Sequence, residues 1–473
     1  MKQLDKITPR DVDFSQWYTD TVINAKLASY GPVKGTIIFR PYGYAIWELI
    51  QKYLDGKFKE IGVENVYFPL LIPQSLFQKE KDHIEGFSPE IATVTRVGDT
   101  ELPEPLFIRP TSEVLMANYF KNEVKSYRDL PLIYNQWTNV MRWEKTTRPF
   151  LRTSEFLWQE GHTVHSDRKE ASDLTLKILD IYTEFANNLL LLPVISGKKT
   201  EREKFAGADS TYTIESLMHD GQALQCGTSH YFADNFSKPY EIKFQNKEGK
   251  LEHAYSTSWG VSTRLIGAII MTHSDDNGLV LPSSISPVQI RIIQIKETEE
   301  VLKVSNDIKN LLSNKYRVDT DKTDKSFGFK ISEAEIKGIP LRIEIGPRDL
   351  ENDQVTISRR DTREKIQVNV REIEQAIDQM IKEYDANLYA NALKNRENRT
   401  SKAKTIEEYK KVLESNQGFV LVPFCGEVEC EEKVKKETST NSRCIPFEQD
   451  NKIENCFNCN KETKLKVYFA RAY

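Results

Sequence analysis

Between Tyr42 and Ile61, apolar residues recur at Ile46, Leu49, Ile50, Tyr53, Leu54, Phe58 and Ile61. Those three- and four-residue spacings predict a helix with one apolar face. Val63–Ile72 then reads as a strand, and Pro69 within it assigns it to a sheet edge or an interface. Arg109-Pro110-Thr111-Ser112-Glu113 opens a helix through Lys121, with Thr111 as its N-cap and Ser112 and Glu113 in the first turn. Two β-forming runs, Asn139–Trp143 and Glu155–Glu160, flank a loop rich in Arg, Thr and Pro, the pattern of antiparallel strands with a long connection. Asp167–Leu192 is a long amphipathic helix that ends before Pro193, and Gln222–Phe236 and Glu252–His273 complete a first domain over 1–284.

Near residue 285 the pattern changes. Strands are predicted at Gln289–Ile295, Tyr316–Asp319, Leu341–Ile345 and Gln354–Arg359, and helices at Glu297–Lys315, Phe329–Ile339 and Val370–Asp385. Alternating elements of this length describe a small α/β domain over 285–385. Leu341, Ile343 and Ile345 point one way, Arg342 and Glu344 the other. Asn387–Glu414 is charged and helical, without Pro or Gly, and is either a linker helix or the start of a third unit over 386–473.

With 473 residues the chain has room for about three domains. Lys and Arg total 66 against 70 Asp and Glu, so any nucleic-acid contact rests on local basic patches, not a global positive field. The start, Met1-Lys2-Gln3-Leu4-Asp5-Lys6, leads into no apolar run of the kind a signal peptide needs, and no stretch reaches the ~18 apolar residues of a membrane span, so a soluble cytoplasmic protein is expected. Five of the six cysteines follow residue 424. Cys425-x₄-Cys430 and Cys456-x₂-Cys459 form two short-spaced pairs, the arrangement of a structural four-thiolate Zn²⁺ site. Cys444 and Cys226 fall at no ligand spacing and read as unligated thiols.

The stretch 141–163 carries an unusual load of polar chemistry for a strand pair: Arg142, Glu144, Arg152, Trp158, Glu160 and His162. Guanidinium forks opposite carboxylates suit a site that holds phosphate and amine groups together. The order Met-Arg-x-Glu, loop, Arg resembles motif 2 of class II aminoacyl-tRNA synthetases. The run from Phe150 through Thr163 resembles the prolyl-tRNA synthetase family in particular. The helix, strand and Pro69 resemble motif 1, which in that class forms a homodimer interface. Gly260 through Arg264 is similar to motif 3, and Thr111-Ser112-Glu113 to the family's Thr-x-Glu loop. The C-terminal cysteines and terminal Tyr473 resemble the archaeal/eukaryote-like branch.

This resemblance implies an α+β chain: an antiparallel-sheet catalytic domain, an α/β anticodon-binding domain and a small Zn-binding C-terminal domain. It implies ATP-dependent activation of L-proline, with Mg²⁺ accompanying ATP, and transfer to tRNA(Pro). Arg142 would bridge the substrate carboxylate and the α-phosphate, Arg152 and Arg264 would grip the distal phosphates, and Phe156 and Glu144 would hold the adenine. Gln225 and Thr228 would contact ribose or phosphate. Thr111 and Glu113 would hold the secondary amine, and Trp158, Phe205, His162, Glu160 and His230 would line the proline pocket; for each aromatic residue the plain alternative is core packing. About 95 residues separate His162 from Gly260, all assignable to ordinary elements, so no large editing insertion is expected there.

Glu344, Arg348 and Asp349 are candidates for reading the anticodon, Glu accepting from base amino groups and Arg donating to ring acceptors; a surface ion pair is the alternative for Glu344 and Arg348. The turn Ser358–Arg363 either touches phosphates or is solvated, and Tyr473 either reaches the catalytic domain or frays. The rival readings are a threonyl or seryl enzyme, a catalytically inactive synthetase-like RNA-binding or sensor protein, and a metal-stapled structural adaptor.

Overall fold

The structure is a computed structural model that describes residues 7–78 and 90–473; the polar first six residues lie outside it. Its centre is a strongly paired antiparallel sheet. Leu132–Met141 pairs with Glu155–His165, which pairs with Tyr255–Ser262, then Ala223–Ala233, Ser210–Leu217 and Ile195–Lys198. The two strands expected around 139–143 and 155–160 are therefore present and longer. Three helices cover one face: Pro41–Glu60, Arg168–Asn188 and Arg264–His273. Of the face that the spacing predicts for the first helix, Ile46, Ile50, Leu54 and Phe58 join Tyr182, Phe185, Leu265, Ile269 and Trp259 in one core cluster and Tyr53 and Ile61 pack against it, whereas Leu49 stays outside the cluster and Trp47, not predicted, enters it. Because strand side chains alternate, Gln159 and Gly161 turn toward this core while Trp158, Glu160 and His162 turn to the other face. Gly161 is required there, since a Cβ would stand 2.0 Å from the Trp259 ring.

Two sequence expectations fail in this domain. Val63–Ile72 is not one strand: Glu64–Asn65 joins the large sheet and Leu71–Pro73 joins a separate three-stranded sheet. Between them buried Arg109 takes the Phe68 carbonyl at 2.6 Å, and Gln136 accepts from the Phe68 N–H at 3.0 Å, so side chains satisfy this backbone. Nor is Thr111 a helix cap. The helix is Glu113–Glu123 with Ser112 at the N-cap position, and the Thr111 hydroxyl donates to Glu113 instead.

The second domain is a five-stranded sheet in the order Val318–Thr320, Ile290–Gln294, Leu341–Ile345, Gln354–Arg359, Lys365–Asn369. The first three strands are parallel. The last, Lys-Ile-Gln-Val-Asn, alternates polar and apolar over only five residues, and of its two apolar side chains Val368 is buried while Ile366 is exposed. Leu341, Ile343 and Ile345 enter the core as expected, but Arg342 and Glu344 are buried too, as strands covered on both faces require. The helix expected to end at Asp385 continues as Ile373–Asn398, because Tyr384 and Leu388 pack on Leu191 and Val280 of the first domain.

The domains are locked together by polar contacts. Arg360 is fully buried and holds Asp275 through two bonds of 2.7 and 2.8 Å, with Arg363 adding a third at 3.1 Å. Arg359 pairs with Asp361 and Glu383. Arg359 and Arg360 of the basic turn are thus taken up by protein carboxylates, Arg360 as a domain clamp, while Thr362 and Arg363 at its tip are exposed to solvent. At the junction, Ser283 and Ser284 bond Asp385 and the Leu189 carbonyl and accept from Arg317. The third unit extends the central sheet: Asn441–Pro446 pairs with Ile195–Lys198, and Lys466–Ala470, Phe419–Pro423 and Thr400–Lys402 follow, giving eleven strands in all.

Candidate active site

The open face of the central sheet carries a cleft of about 200 Å³. Trp158, Glu160 and His162 reach it from Glu155–His165, Gln225, Thr228 and His230 from Ala223–Ala233, and Ser258, Gly260 and Ser262 from Tyr255–Ser262. Arg142 follows the strand Leu132–Met141, Arg264 opens the third core helix, and Thr111 and Glu113 lie at the start of Glu113–Glu123. Phe156 and Phe205 complete the walls. Glu144 and Arg152 do not line the cleft; they face each other at 3.8 Å, with Arg152 half-exposed.

One end is a buried carboxylate–imidazole set. Ligand atoms of Glu113, Glu160 and His162 lie within 4.8 Å of one another. Glu160 is 1% exposed and takes bonds from the Ser112 backbone at 3.1 Å, the Ser112 hydroxyl, Gln136 Nε2 at 2.7 Å and His162 Nε2 at 3.1 Å. Burial opposes its charge, but these donors outweigh burial and hold its pKa below the ordinary value. Burial equally opposes a charged His162, yet Glu160 and Glu113 push its pKa up. These opposite shifts describe a buried ion pair next to an acidic neighbour, suited to an amine that arrives charged.

His230 behaves in the opposite way. Burial, with His162 adding repulsion, drives its pKa down to about 3. Its Nδ1 meets the Thr211 hydroxyl at 3.0 Å, and its ring lies 4.5 Å from that of Phe205. A neutral imidazole tilted against a phenyl ring forms an apolar wall.

The other end is cationic. The Arg142 guanidinium lies 5.4 Å from the centres of both Phe156 and Trp158, and its Nε donates to the Pro110 carbonyl at 3.0 Å. Arg264 Nε donates to the Leu151 carbonyl at 3.2 Å. Burial lowers its pKa to about 10, with the charges of Arg152 and Arg142 adding to the effect. Two half-buried guanidiniums, that of Arg142 beside aromatic rings, next to an acidic pocket suit a phosphorylated nucleotide beside a small ammonium-bearing substrate.

Sequence reasoning missed the supports. Ser112 and Gln136 fix Glu160, and Thr211 holds His230 while accepting the Phe205 N–H at 3.0 Å. Thr211 stands opposite His230 in the sheet register, which no local pattern announces. Glu203 and Ser258 also line the cleft.

Two further features belong to the C-terminal unit. The thiols of Cys425, Cys430, Cys456 and Cys459 lie within 4.8 Å of one another, with Cys430 and Cys456 sulfurs 3.9 Å apart. A tetrahedral zinc site with Zn–S near 2.3 Å has sulfur–sulfur edges of about 3.8 Å, so the four residues fit that ion. Cys444 and Cys226 are buried and lie outside the cluster. The tail does not fray: Tyr473 donates its N–H to the Ala223 carbonyl at 3.1 Å, its hydroxyl meets Asp220, and Arg148 lies 5.5 Å from its ring.

Comparison with known proteins agrees along the whole chain. Residues 96–273 match the tRNA synthetase class II core domain (G, H, P, S and T), 289–380 an anticodon binding domain, and 406–473 the C-terminal domain of prolyl-tRNA synthetase. The chain is 89% identical over 473 residues to a proline–tRNA ligase of Mesoplasma florum, with both chains fully covered. It is 52% identical to that of Clostridium novyi, covering all of this chain and 99% of that one. A crystal structure of prolyl-tRNA synthetase from Cryptosporidium parvum, complexed with halofuginone and AMPPNP, superposes with a TM-score of 0.96 at 40% identity, covering 100% of this chain and 99% of the other. The chain belongs to the prolyl-tRNA synthetase family of class II aminoacyl-tRNA synthetases.

Proposed function

We propose that this cleft activates L-proline and passes it to tRNA(Pro). The proline carboxylate attacks the α-phosphate of ATP, pyrophosphate leaves with its Mg²⁺, and a terminal tRNA ribose hydroxyl then displaces AMP from the prolyl adenylate. The observation that carries this reading is the meeting, in one cleft, of Arg142 and Arg264 with the buried Glu113, Glu160 and His162 set. The attacking carboxylate is already ionised, so the first step needs no general base. The work is to bring two anions together and neutralise charge on the phosphates.

In this account Arg142 bridges the carboxylate and α-phosphate, Arg264 and Arg152 hold the distal phosphates, and Phe156 and Glu144 hold the adenine. Gln225 and Thr228 contact the ribose or phosphates. Thr111 and Glu113 accept from the secondary amine, Glu160 and His162 support them, and Trp158, Phe205 and His230 enclose the ring. Glu344, Arg348 and Asp349 act on the anticodon; exposed Arg348 is available to a base, while Glu344 is held by Lys365 at 2.7 Å until one arrives.

The domains run 1–284, 285–385 and 386–473, and Cys425, Cys430, Cys456 and Cys459 hold a structural Zn²⁺ that fixes the third. Tyr30, Ile38, Tyr67, Leu70 and Leu71 are exposed around the motif 1 elements, Tyr67 at 74%, and a homodimer would cover them. No helix among the described residues is long and apolar enough to cross a membrane. The cytoplasm is the proposed site of action because charging tRNA supplies protein synthesis there.

Steady-state ATP–pyrophosphate exchange by the Glu113→Gln variant tests the assignment. The expected result is a rise in the proline KM of about tenfold or more with the ATP KM nearly constant, because one acceptor for the amine is lost. An equal rise in both constants contradicts the division of the cleft.

A further inference from the structure

The cleft residues Gln225, Cys226, Gly227 and Thr228 come from one irregular stretch of strand. Gly227 stands opposite Ile214, but Gln225 stands opposite Glu215, so Cys226 is the extra residue of a β-bulge. A bulge re-aims the side chains around it only as firmly as its partner strand is held. Glu215, fully buried opposite that bulge, is held from several sides. Lys199 Nζ donates to its Oε1 at 2.8 Å and the Thr213 hydroxyl to the same oxygen at 2.9 Å. Arg443 covers Oε2 through Nε at 2.9 Å and Nη2 at 2.6 Å.

Arg443 belongs to the C-terminal unit. It arrives on Asn441–Pro446, the strand that joins that unit to Ile195–Lys198, and the adjacent Ser442 hydroxyl meets that of Thr200 at 2.9 Å. Lys199 and Arg443 thus meet one carboxylate on the strand that partners Gln225 and Thr228. By contrast the carboxylate–imidazole set is held by Ser112 and Gln136, which Arg443 does not touch, and Phe205 has its own anchor on Thr211.

We propose that Arg443 is a positioning residue for the nucleotide half of the cleft: through Glu215 it fixes the bulge at Cys226 and so the reach of Gln225 and Thr228. The metal-binding unit is then a buttress of the catalytic sheet and not only an appended module. This inference rests on reading the cleft as an ATP and proline site.

The test is proline-dependent ATP–pyrophosphate exchange by the full chain carrying Arg443→Met, with ATP and proline varied separately. Glu215 keeps Lys199 in this variant, so the carboxylate is not left unpaired. The expected result is an ATP KM raised about tenfold with the proline KM changed less than about twofold, and partial recovery in Arg443→Lys, which restores the charge but not the fork. An unchanged ATP KM, or an equal rise in both constants, overturns the proposal. Should Arg443→Met fail to fold, Arg443→Lys alone decides: an ATP KM raised about threefold at constant proline KM supports it, and wild-type constants overturn it. Absence of exchange in the unaltered chain would instead defeat the reading of the cleft itself.

Discussion

At the scale of single residues, the cleft divides its histidines by charge. His162 has its pKa raised above the ordinary 6.5, so its ion pair stabilises the fold fully below that value and loses this as pH climbs through the folded pKa. Glu160, depressed below 4.5, contributes fully above that value and loses this as pH falls through its folded pKa. The pair is therefore worth most between 4.5 and 6.5. His230, held down to about 3, works the other way: the unfolded chain takes up a proton below 6.5 that the folded chain refuses, so stability falls with pH there. Histidine NMR titration should give a His162 midpoint above 6.5 and no transition for His230 between about pH 5 and 8. A His162 midpoint below 6.5 contradicts the pair. Glu160 and His162 were legible as candidates because their stretch is dense in chemistry, and His230 through the family resemblance alone. Their supports, Ser112, Gln136 and Thr211, were not, because a lone Ser, Gln or Thr carries no signal until the sheet register sets it opposite a partner.

Among elements, the outcome depends on where backbone hydrogen bonds go. The helix Pro41–Glu60 and the strands around Arg142 and Glu160 were readable because burial imposes their periods. Val63–Ile72 misled because Arg109 and Gln136, both distant in sequence, take its polar groups. Gly161 shows the same dependence on a neighbouring element: Gly161→Ala drives a methyl into Trp259 and should cost about 3 kcal/mol, the upper end of the usual overpacking range. Denaturant unfolding measures this, and an unchanged midpoint refutes the close contact. In the C-terminal unit, Cys456→Ser should lower bound zinc and the stability of that unit together, read by metal analysis beside thermal unfolding. One equivalent of zinc at full stability would remove the four-thiolate proposal.

For the whole molecule, domain order was readable from the shift between an antiparallel pattern and an alternating one, but the joints were not. Ser358–Arg363 looks like a surface turn in sequence, and only the folded chain sets Arg360 on Asp275, just past the helix that begins with Arg264. The variant Arg360→Met should lower stability by about 3 kcal/mol, since it strips the main partner from a largely enclosed carboxylate; calorimetry that finds wild-type unfolding would show the clamp to be idle. Tyr473 and Arg443 likewise find partners more than two hundred positions away, beyond any local pattern. What unites these joints is a single cleft serving two substrates, and that is best tested by ATP–pyrophosphate exchange without tRNA across all the amino acids. The account predicts strong exchange with proline, far weaker exchange with the smaller alanine or cysteine, and none in Arg142→Ala despite an intact fold. Exchange that prefers a different amino acid, or that survives in Arg142→Ala, would contradict it.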